Sequence, residues 1–182
     1  MIIAGVDEVG RGPLAGPVVA AAVILPIDYK NVLIQDSKKL TKKNRKLALQ
    51  AILSDCLEYK ITCLSHKVID EVNILQASLS AMAKSVKKLK IAPDFVLVDG
   101  NKEIPINYKQ EAVIKGDAKH IQIAAASIIA KEYRDNIMKI IDYWHPEYDF
   151  YKNQGYPTKH HREKIIEIGI TKYHRKSFNG VS

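Results

Sequence analysis

The fold is decided by the stretch MIIAGVDEVGRG, residues 1–12. Its apolar opening is rich in isoleucine and predicts a buried strand over residues 1–8. That strand ends on two adjacent carboxylates, Asp7 and Glu8, and a glycine-framed arginine, Gly10–Arg11–Gly12, follows at once. The chain therefore places paired charge and a flexible, glycine-rich turn at one end of its first buried strand.

Further strands and helices follow this first strand. Val18 to Leu25 is a second apolar, β-branched run, and Thr41 and Asn73 are placed to cap two helices. The remaining predicted elements are strands over 59–64, 95–98 and 112–115, and helices ending near residue 90 and spanning 121–143 and 158–168. This order predicts an α/β fold, a central mixed sheet flanked by helices, in one domain of 182 residues.

The chain is basic, with 28 Lys and Arg against 20 Asp and Glu and a net charge of +8, and such a surface attracts polyanions. Its lysines fall in groups over residues 38–43, 84–90 and 159–164. We interpret 84–90 as a solvated helix end, where cations suit the helix dipole. The group that includes Lys38 precedes its helix in a polar loop and is a better candidate for binding an anion.

Two classes of protein are disfavoured. No apolar stretch reaches the ~20 residues that span a bilayer, and the first residues lack the positive charge of a leader, so we expect a cytoplasmic protein. Cys56 and Cys63 stand seven residues apart without a second pair or a histidine cluster. They predict neither a disulfide framework nor a zinc site.

Four carboxylates follow the ends of three predicted strands: Asp7, Glu8, Asp99 and Asp117. A sheet flanked by helices gathers such side chains at one edge. Their mutual repulsion is unfavourable unless a multivalent cation neutralises it, and carboxylate oxygens suit Mg²⁺ or Mn²⁺. Two ions roughly 3.5–4 Å apart can activate a water and stabilise the leaving oxygen of a phosphodiester. The pattern therefore predicts metal-dependent phosphodiester hydrolysis.

Simpler interpretations exist for parts of this pattern. Asp99–Gly100 alone is more often a turn than a site. The run Gly10–Gly16 faintly resembles a dinucleotide-binding loop, but that loop must open a helix, whereas Pro17 leads into a strand. A basic nucleic-acid-binding protein without catalysis is the alternative that rests on charge alone.

Seven motifs in order resemble those of ribonuclease HII, the type 2 ribonuclease H family. They span residues 6–17, 36–40, 98–101, 115–117, 124–131, 155–158 and 174–178. The resemblance implies an RNase H-like fold with a helical, substrate-contacting part from about 145 to 182. It also implies endonucleolytic cleavage of RNA in RNA/DNA hybrids, and of duplex DNA on the 5′ side of a single ribonucleotide. The implied products carry 3′-hydroxyl and 5′-phosphate ends.

The same resemblance assigns roles to residues. Asp7, Glu8, Asp99 and Asp117 would be the metal ligands, with Asp7 as the bridging ligand of two ions. The tripeptide Gly10, Arg11 and Gly12 would recognise the ribose 2′-hydroxyl through its main chain, and Tyr156 would pack on the deoxyribose that follows. Lys38, Ser127 and Lys131 would be phosphate contacts.

Three histidines have no spacing that forces a role: His160, His161 and His174. Each could contact phosphate or accept a proton, and we predict surface positions for most of them. The related type 3 enzymes usually have an extra N-terminal domain and a different tripeptide, so the Gly-Arg-Gly sequence favours type 2. We expect a monomer whose partners are RNA/DNA hybrids and ribonucleotide-containing duplex DNA, with no membrane association.

Overall fold

The computed structural model describes residues 1–34 and 40–181. The strands are β1 (Ile3–Val9), β2 (Val18–Ile24), β3 (Glu58–Leu64), β4 (Phe95–Asp99) and β5 (Gln110–Val113). The helices are α1 (Lys42–Asp55), α2 (His66–Val72), α3 (Ile74–Lys87), α4 (Ile121–Trp144), α5 (Phe150–Asn153) and α6 (Lys159–Ile168). Short 3₁₀ turns span Gly116–Ala118 and Pro146–Tyr148.

The five strands of the described residues form one sheet in the order β3-β2-β1-β4-β5. β1 pairs antiparallel with β2 and parallel with β4, so the sheet is mixed, as the sequence predicts. β2 also pairs antiparallel with β3, and β4 pairs parallel with β5. The first strand is therefore the middle strand, which explains why its apolar residues are hidden on both faces.

Helices cover both faces of the sheet. β2 has the sequence VVAAAVI and is buried throughout, because successive side chains point to opposite faces and both faces are covered. Val18, Ala20 and Ile24 pack in a core with α2 and α3. Val19 and Val23 pack in a second core with α1 and α4.

Helix α4 lies directly on β1, and a glycine permits that approach. A Cβ atom added to Gly5 would lie 2.2 Å from the carbonyl carbon of Gln122, in the first turn of α4. No side chain fits in that space. The contact fixes the long helix over the strand that ends on Asp7 and Glu8.

The C-terminal region folds back onto the loop between β1 and β2. The amide of Leu14 donates to the carbonyl of Gly155 at 2.7 Å, and the amide of Arg175 donates to Leu14 at 2.8 Å. Ala15 and His174 form an isolated antiparallel bridge. The loop that follows the first strand is thus built jointly with residues from the end of the chain.

Most predicted elements are confirmed, and some bounds differ. The side chains of Thr41 and Asn73 cap α1 and α3 as predicted, by accepting the amides of Asn44 and Gln76. The fifth strand begins and ends about two residues earlier than predicted. Helices α2 and α5 were not predicted. Among the described residues, no helix is long and apolar enough to span a membrane.

Candidate active site

Three of the four carboxylates meet at one end of two neighbouring strands. Val6 of β1 lies opposite Val98 of β4 in the parallel pairing, so the next residues, Asp7 and Asp99, lie side by side. Glu8 joins them in a cleft of about 390 Å³. The other residues that line the cleft are Val9, Gly10, Arg11, Gly12, Arg45, Ser127, Ile128, Lys131 and Tyr156.

The carboxylates are held where negative charge is unfavourable. Burial raises the pKa of Asp7 well above its usual value, and the charges of Glu8 and Asp99 raise it further. Hydrogen bonds from the Ser127 hydroxyl and the Glu8 amide oppose this shift. Burial also raises the pKa of Glu8, against the opposing charge of Arg11. A bound cation would favour the ionised carboxylates and so lower the pKa values of both Asp7 and Glu8.

One atom of this cluster lacks a partner. Glu8 Oε2 is buried and has no hydrogen bond to any of the described residues, while Oε1 lies 3.6 Å from an Arg11 nitrogen. Within 1–34 and 40–181, no three His, Cys, Asp or Glu side chains converge closely enough to form a metal-binding group. Asp7, Glu8 and Asp99 thus share a cleft without forming a closed metal-binding group, and the unpartnered Glu8 Oε2 is the kind of oxygen donor that hard divalent cations prefer.

Asp117 occupies a different position from the other three. Asp99 Oδ1 accepts the amide of Gly116 at 2.7 Å, so the turn that carries Asp117 is tied to the cluster. The Asp117 side chain is buried, but it lines a neighbouring depression with Lys30 and His120 rather than the cleft itself. The structure thus brings Asp7, Glu8 and Asp99 together and places the fourth carboxylate beside them.

The glycine tripeptide and Tyr156 face the same cleft, although they lie far apart in the sequence. A Cβ atom added to Gly12 would lie 3.2 Å from Cε1 of Tyr156. Gly10 has φ of +96°, a conformation that residues other than glycine rarely adopt. Tyr156 remains 42% exposed, so its ring is available to a ligand.

The candidate phosphate contacts already have partners within the protein. The Ser127 hydroxyl bonds Asp7. Lys131 Nζ lies 2.5 Å from Asp135, which also accepts a hydrogen bond from Arg45 at 3.2 Å. Sequence reasoning missed Arg45, whose only signal is its position in the helix after the polar lysine loop. Lys38 lies outside the described residues.

The prediction of surface positions was wrong for two histidines. His160 is exposed, but His161 and His174 are 0% and 1% exposed, and their Nε2 atoms lie 2.9 Å apart. His161 Nδ1 is 2.9 Å from the carbonyl of Tyr156. A pair of imidazoles that hydrogen-bond each other satisfies the polar atoms that burial would otherwise leave without partners.

Comparison with known proteins agrees with this geometry. The family model for ribonuclease HII matches residues 4–181. The ribonuclease HII of Christiangramia forsetii is 51% identical over 97% of this chain and 89% of its own length. The ribonuclease H2 structure from Pyrococcus horikoshii matches with a TM-score of 0.83 and 26% identity, covering 100% of this chain and 95% of that one.

A more distant structure shares the fold alone. The Mn²⁺ complex of Bst-RNase HIII matches with a TM-score of 0.82 at 18% identity, over 100% of this chain and 68% of that one. The family model, by contrast, is that of type 2 and covers both the carboxylate strand ends and the C-terminal helices. The chain therefore belongs to the ribonuclease HII family, whose members are metal-dependent endoribonucleases of the ribonuclease H class.

Proposed function

We propose that this protein cleaves the RNA strand of RNA/DNA hybrids and nicks duplex DNA on the 5′ side of a single embedded ribonucleotide, leaving 3′-hydroxyl and 5′-phosphate ends. One observation carries the proposal. A single cleft holds Asp7, Glu8 and Asp99 beside the Gly10–Gly12 main chain and Tyr156. Groups suited to hydrolysis and groups suited to sugar recognition are therefore within reach of one nucleotide step.

The acidic residues would hold two divalent cations, Mg²⁺ or Mn²⁺, when substrate is bound. These ions would supply an activated water and stabilise the leaving oxygen. The raised pKa values of Asp7 and Glu8 and the unpartnered Glu8 Oε2 support a cation here. Asp7 is our candidate for the bridging ligand, because it adjoins Glu8 in the chain, lies beside Asp99 of the paired strand, and has its pKa raised by the charges of both. Asp117, next to the Asp99-bound Gly116, would be the fourth ligand.

The remaining residues would select and orient the substrate. The main chain of Gly10–Gly12 can approach a ribose closely because glycine has no side chain, and the 2′-hydroxyl distinguishes RNA from DNA. The exposed ring of Tyr156 would pack on the next sugar and favour one without that hydroxyl. Lys38, Ser127 and Lys131 would contact phosphates, which position a duplex without reading its sequence.

The substrates would be bound by a single copy of the chain. One chain supplies the carboxylates, the glycine tripeptide and Tyr156 of the cleft, so a monomer would suffice for the proposed reaction. The net charge of +8 would steer the protein toward nucleic acid, with affinity that falls as salt rises.

The test is a cleavage assay with two labelled substrates, a duplex DNA with one ribonucleotide and a continuous RNA/DNA hybrid, each with Mg²⁺ or Mn²⁺. We expect a nick 5′ of the ribonucleotide and multiple cuts in the hybrid, both abolished by EDTA. Asp7→Asn should retain binding in a gel-shift assay and lose cleavage. Absence of cleavage with both metals, or undiminished cleavage by Asp7→Asn, would contradict the proposal.

A further inference from the structure

Two arginines are completely enclosed by the protein. Arg134 of α4 and Arg175 near the end of the chain are both 0% exposed. Neither forms a salt bridge with a carboxylate among residues 1–34 and 40–181. Burying an unpaired cation is strongly unfavourable, so these two guanidinium groups need another kind of partner.

The partners of Arg175 are carbonyl groups of the loop between β1 and β2. Its Nε donates to Gly16 at 3.0 Å and one terminal nitrogen donates to Arg11 at 3.1 Å. The other terminal nitrogen donates to Gly10 at 2.6 Å and to Pro17 at 3.1 Å. One planar side chain therefore fixes two of the three carbonyls in the glycine tripeptide.

Arg134 joins the same loop to the segment that carries Tyr156. It donates to the carbonyls of Pro17 at 2.9 Å and Ala15 at 3.1 Å, and to the carbonyl of Gln154 at 2.9 Å. Gln154 stands two residues before Tyr156. A Cβ atom added to Gly10 would lie 2.3 Å from Arg134 Nε, so the tripeptide main chain rests directly on this guanidinium.

Only arginine suits these positions. A guanidinium offers five N–H donors in a rigid plane, whereas a lysine ammonium is a compact charge with three donors on a flexible stem. Burial lowers the pKa of Arg134 to about 10 and that of Arg175 to about 9, so both stay charged at neutral pH. Their charge strengthens each hydrogen bond to an otherwise irregular loop.

We propose that Arg134 and Arg175 are positioning residues, which hold the Gly10–Gly12 main chain and the Tyr156 segment as one rigid surface for recognising a ribonucleotide followed by a deoxyribonucleotide. The inference rests on the proposed function. It adds that selectivity for this junction depends on two side chains that touch neither substrate nor metal. A duplex with a lone ribonucleotide can be cleaved in only one alignment on the protein, whereas a continuous hybrid can be cleaved in many. Loss of rigidity should therefore reduce cleavage at the lone ribonucleotide more.

The first test compares Arg175→Lys and Arg134→Lys with the wild type. We expect kcat/KM for the single-ribonucleotide duplex to fall by about 100-fold, because displacements of about 1 Å in a site have such effects. The ratio of single-ribonucleotide to hybrid cleavage should fall by about tenfold or more. The matched control is Ile52→Ala, which opens a cavity in the core between α1 and the sheet and should leave the ratio unchanged. Equal losses on both substrates by the arginine variants would overturn the proposal.

The second test uses the wild-type protein and does not depend on the variants folding. Amide hydrogen exchange should show that the hydrogen-bonded amides of these segments, those of Leu14, Gly16, Gln154 and Tyr156, are protected in the free protein and little changed when the ribonucleotide duplex binds. A loop that exchanges freely and becomes protected only on binding would refute the pre-ordering. If the wild type cleaves neither substrate, the proposed function fails, but the exchange result still decides whether the loop is ordered before any substrate binds.

Discussion

Acidification from about pH 8 to about pH 5 should destabilise the protein through one buried histidine, His174. The amide of Thr171 donates to His174 Nδ1 at 2.9 Å, so this nitrogen accepts and the ring is protonated on Nε2. That Nε2–H donates to His161 Nε2, and His161 Nδ1–H donates to the carbonyl of Tyr156. Every ring nitrogen is satisfied in the neutral state. A further proton on either ring would turn its accepting nitrogen into a donor that faces another N–H group.

The expected magnitude follows from the pKa of His174. Burial, followed by the proximity of His161, lowers this pKa from 6.5 to about 4. Between those values the unfolded chain binds a proton that the native protein excludes, so stability is lost as the pH falls through this window. Excluding this one proton lowers the free energy of unfolding by about 1–2 kcal/mol at pH 5, allowing for solvent screening. The pKa of His161 is also lowered by burial and acts in the same direction.

Other titrating groups make a matched comparison necessary. Raised pKa values at Asp7 and Glu8 stabilise the native protein in acid, which opposes the effect of the histidines. The charged or titratable groups that act on the pair are His66, His145, His160 and Arg162, and Thr171 contributes a main-chain hydrogen bond. The informative quantity is therefore the difference in pH dependence between the wild type and a variant that cannot titrate at His174.

The assay is urea unfolding followed by circular dichroism at several pH values from about 8 to about 5. His174→Gln keeps a donor toward His161 and cannot bind the proton. Its free energy of unfolding should therefore fall by about 1–2 kcal/mol less than that of the wild type between about pH 8 and about pH 5. His160→Gln, on the exposed face of α6, should behave as the wild type. Superimposable pH profiles of the wild type and His174→Gln would refute the reasoning, whatever their absolute stabilities.

Three further predictions concern the cleft and the sheet. In EDTA, Asp7→Asn should raise the free energy of unfolding by about 1 kcal/mol, since it removes a buried, repelled carboxylate; thermal melts would measure this. Tyr156→Ala should impair cleavage at a lone ribonucleotide more than in a hybrid, whereas Tyr151→Ala, at a similar exposure of 44%, should change neither. Gly5→Ala should cost about 3 kcal/mol in urea unfolding, because its methyl would overlap the Gln122 main chain.

The central part of the fold and of the site could be predicted from the sequence. Apolar runs ending on Asp7 and Asp99 mark two buried strands, and parallel pairing places both ends at one edge. Caps at Thr41 and Asn73 were readable because they depend on local hydrogen bonds to the next turn. Features determined within a few residues of the chain are thus accessible without a structure.

Features that depend on distant segments could not be predicted. Arginine is mostly exposed in proteins and histidine is intermediate in burial, so nothing in the sequence indicates that Arg134, Arg175, His161 and His174 are enclosed. Their partners are carbonyls and rings brought close only by tertiary folding. Helix α2 was missed for a local reason, since it has only seven residues and is separated from α3 by a single residue at φ +68°.

The contact between Arg175 and the loop after β1 also sets an order of events during synthesis. Arg175 and Gly16 are hydrogen-bonded across 159 residues. At translation rates of about 5–20 residues per second, roughly 8–30 s pass between the appearance of the two partners. The glycine loop therefore leaves the ribosome long before the side chain that orders it. A nascent chain can form its first strands early, but the proposed ribonucleotide-binding surface is complete only when synthesis has passed Arg175.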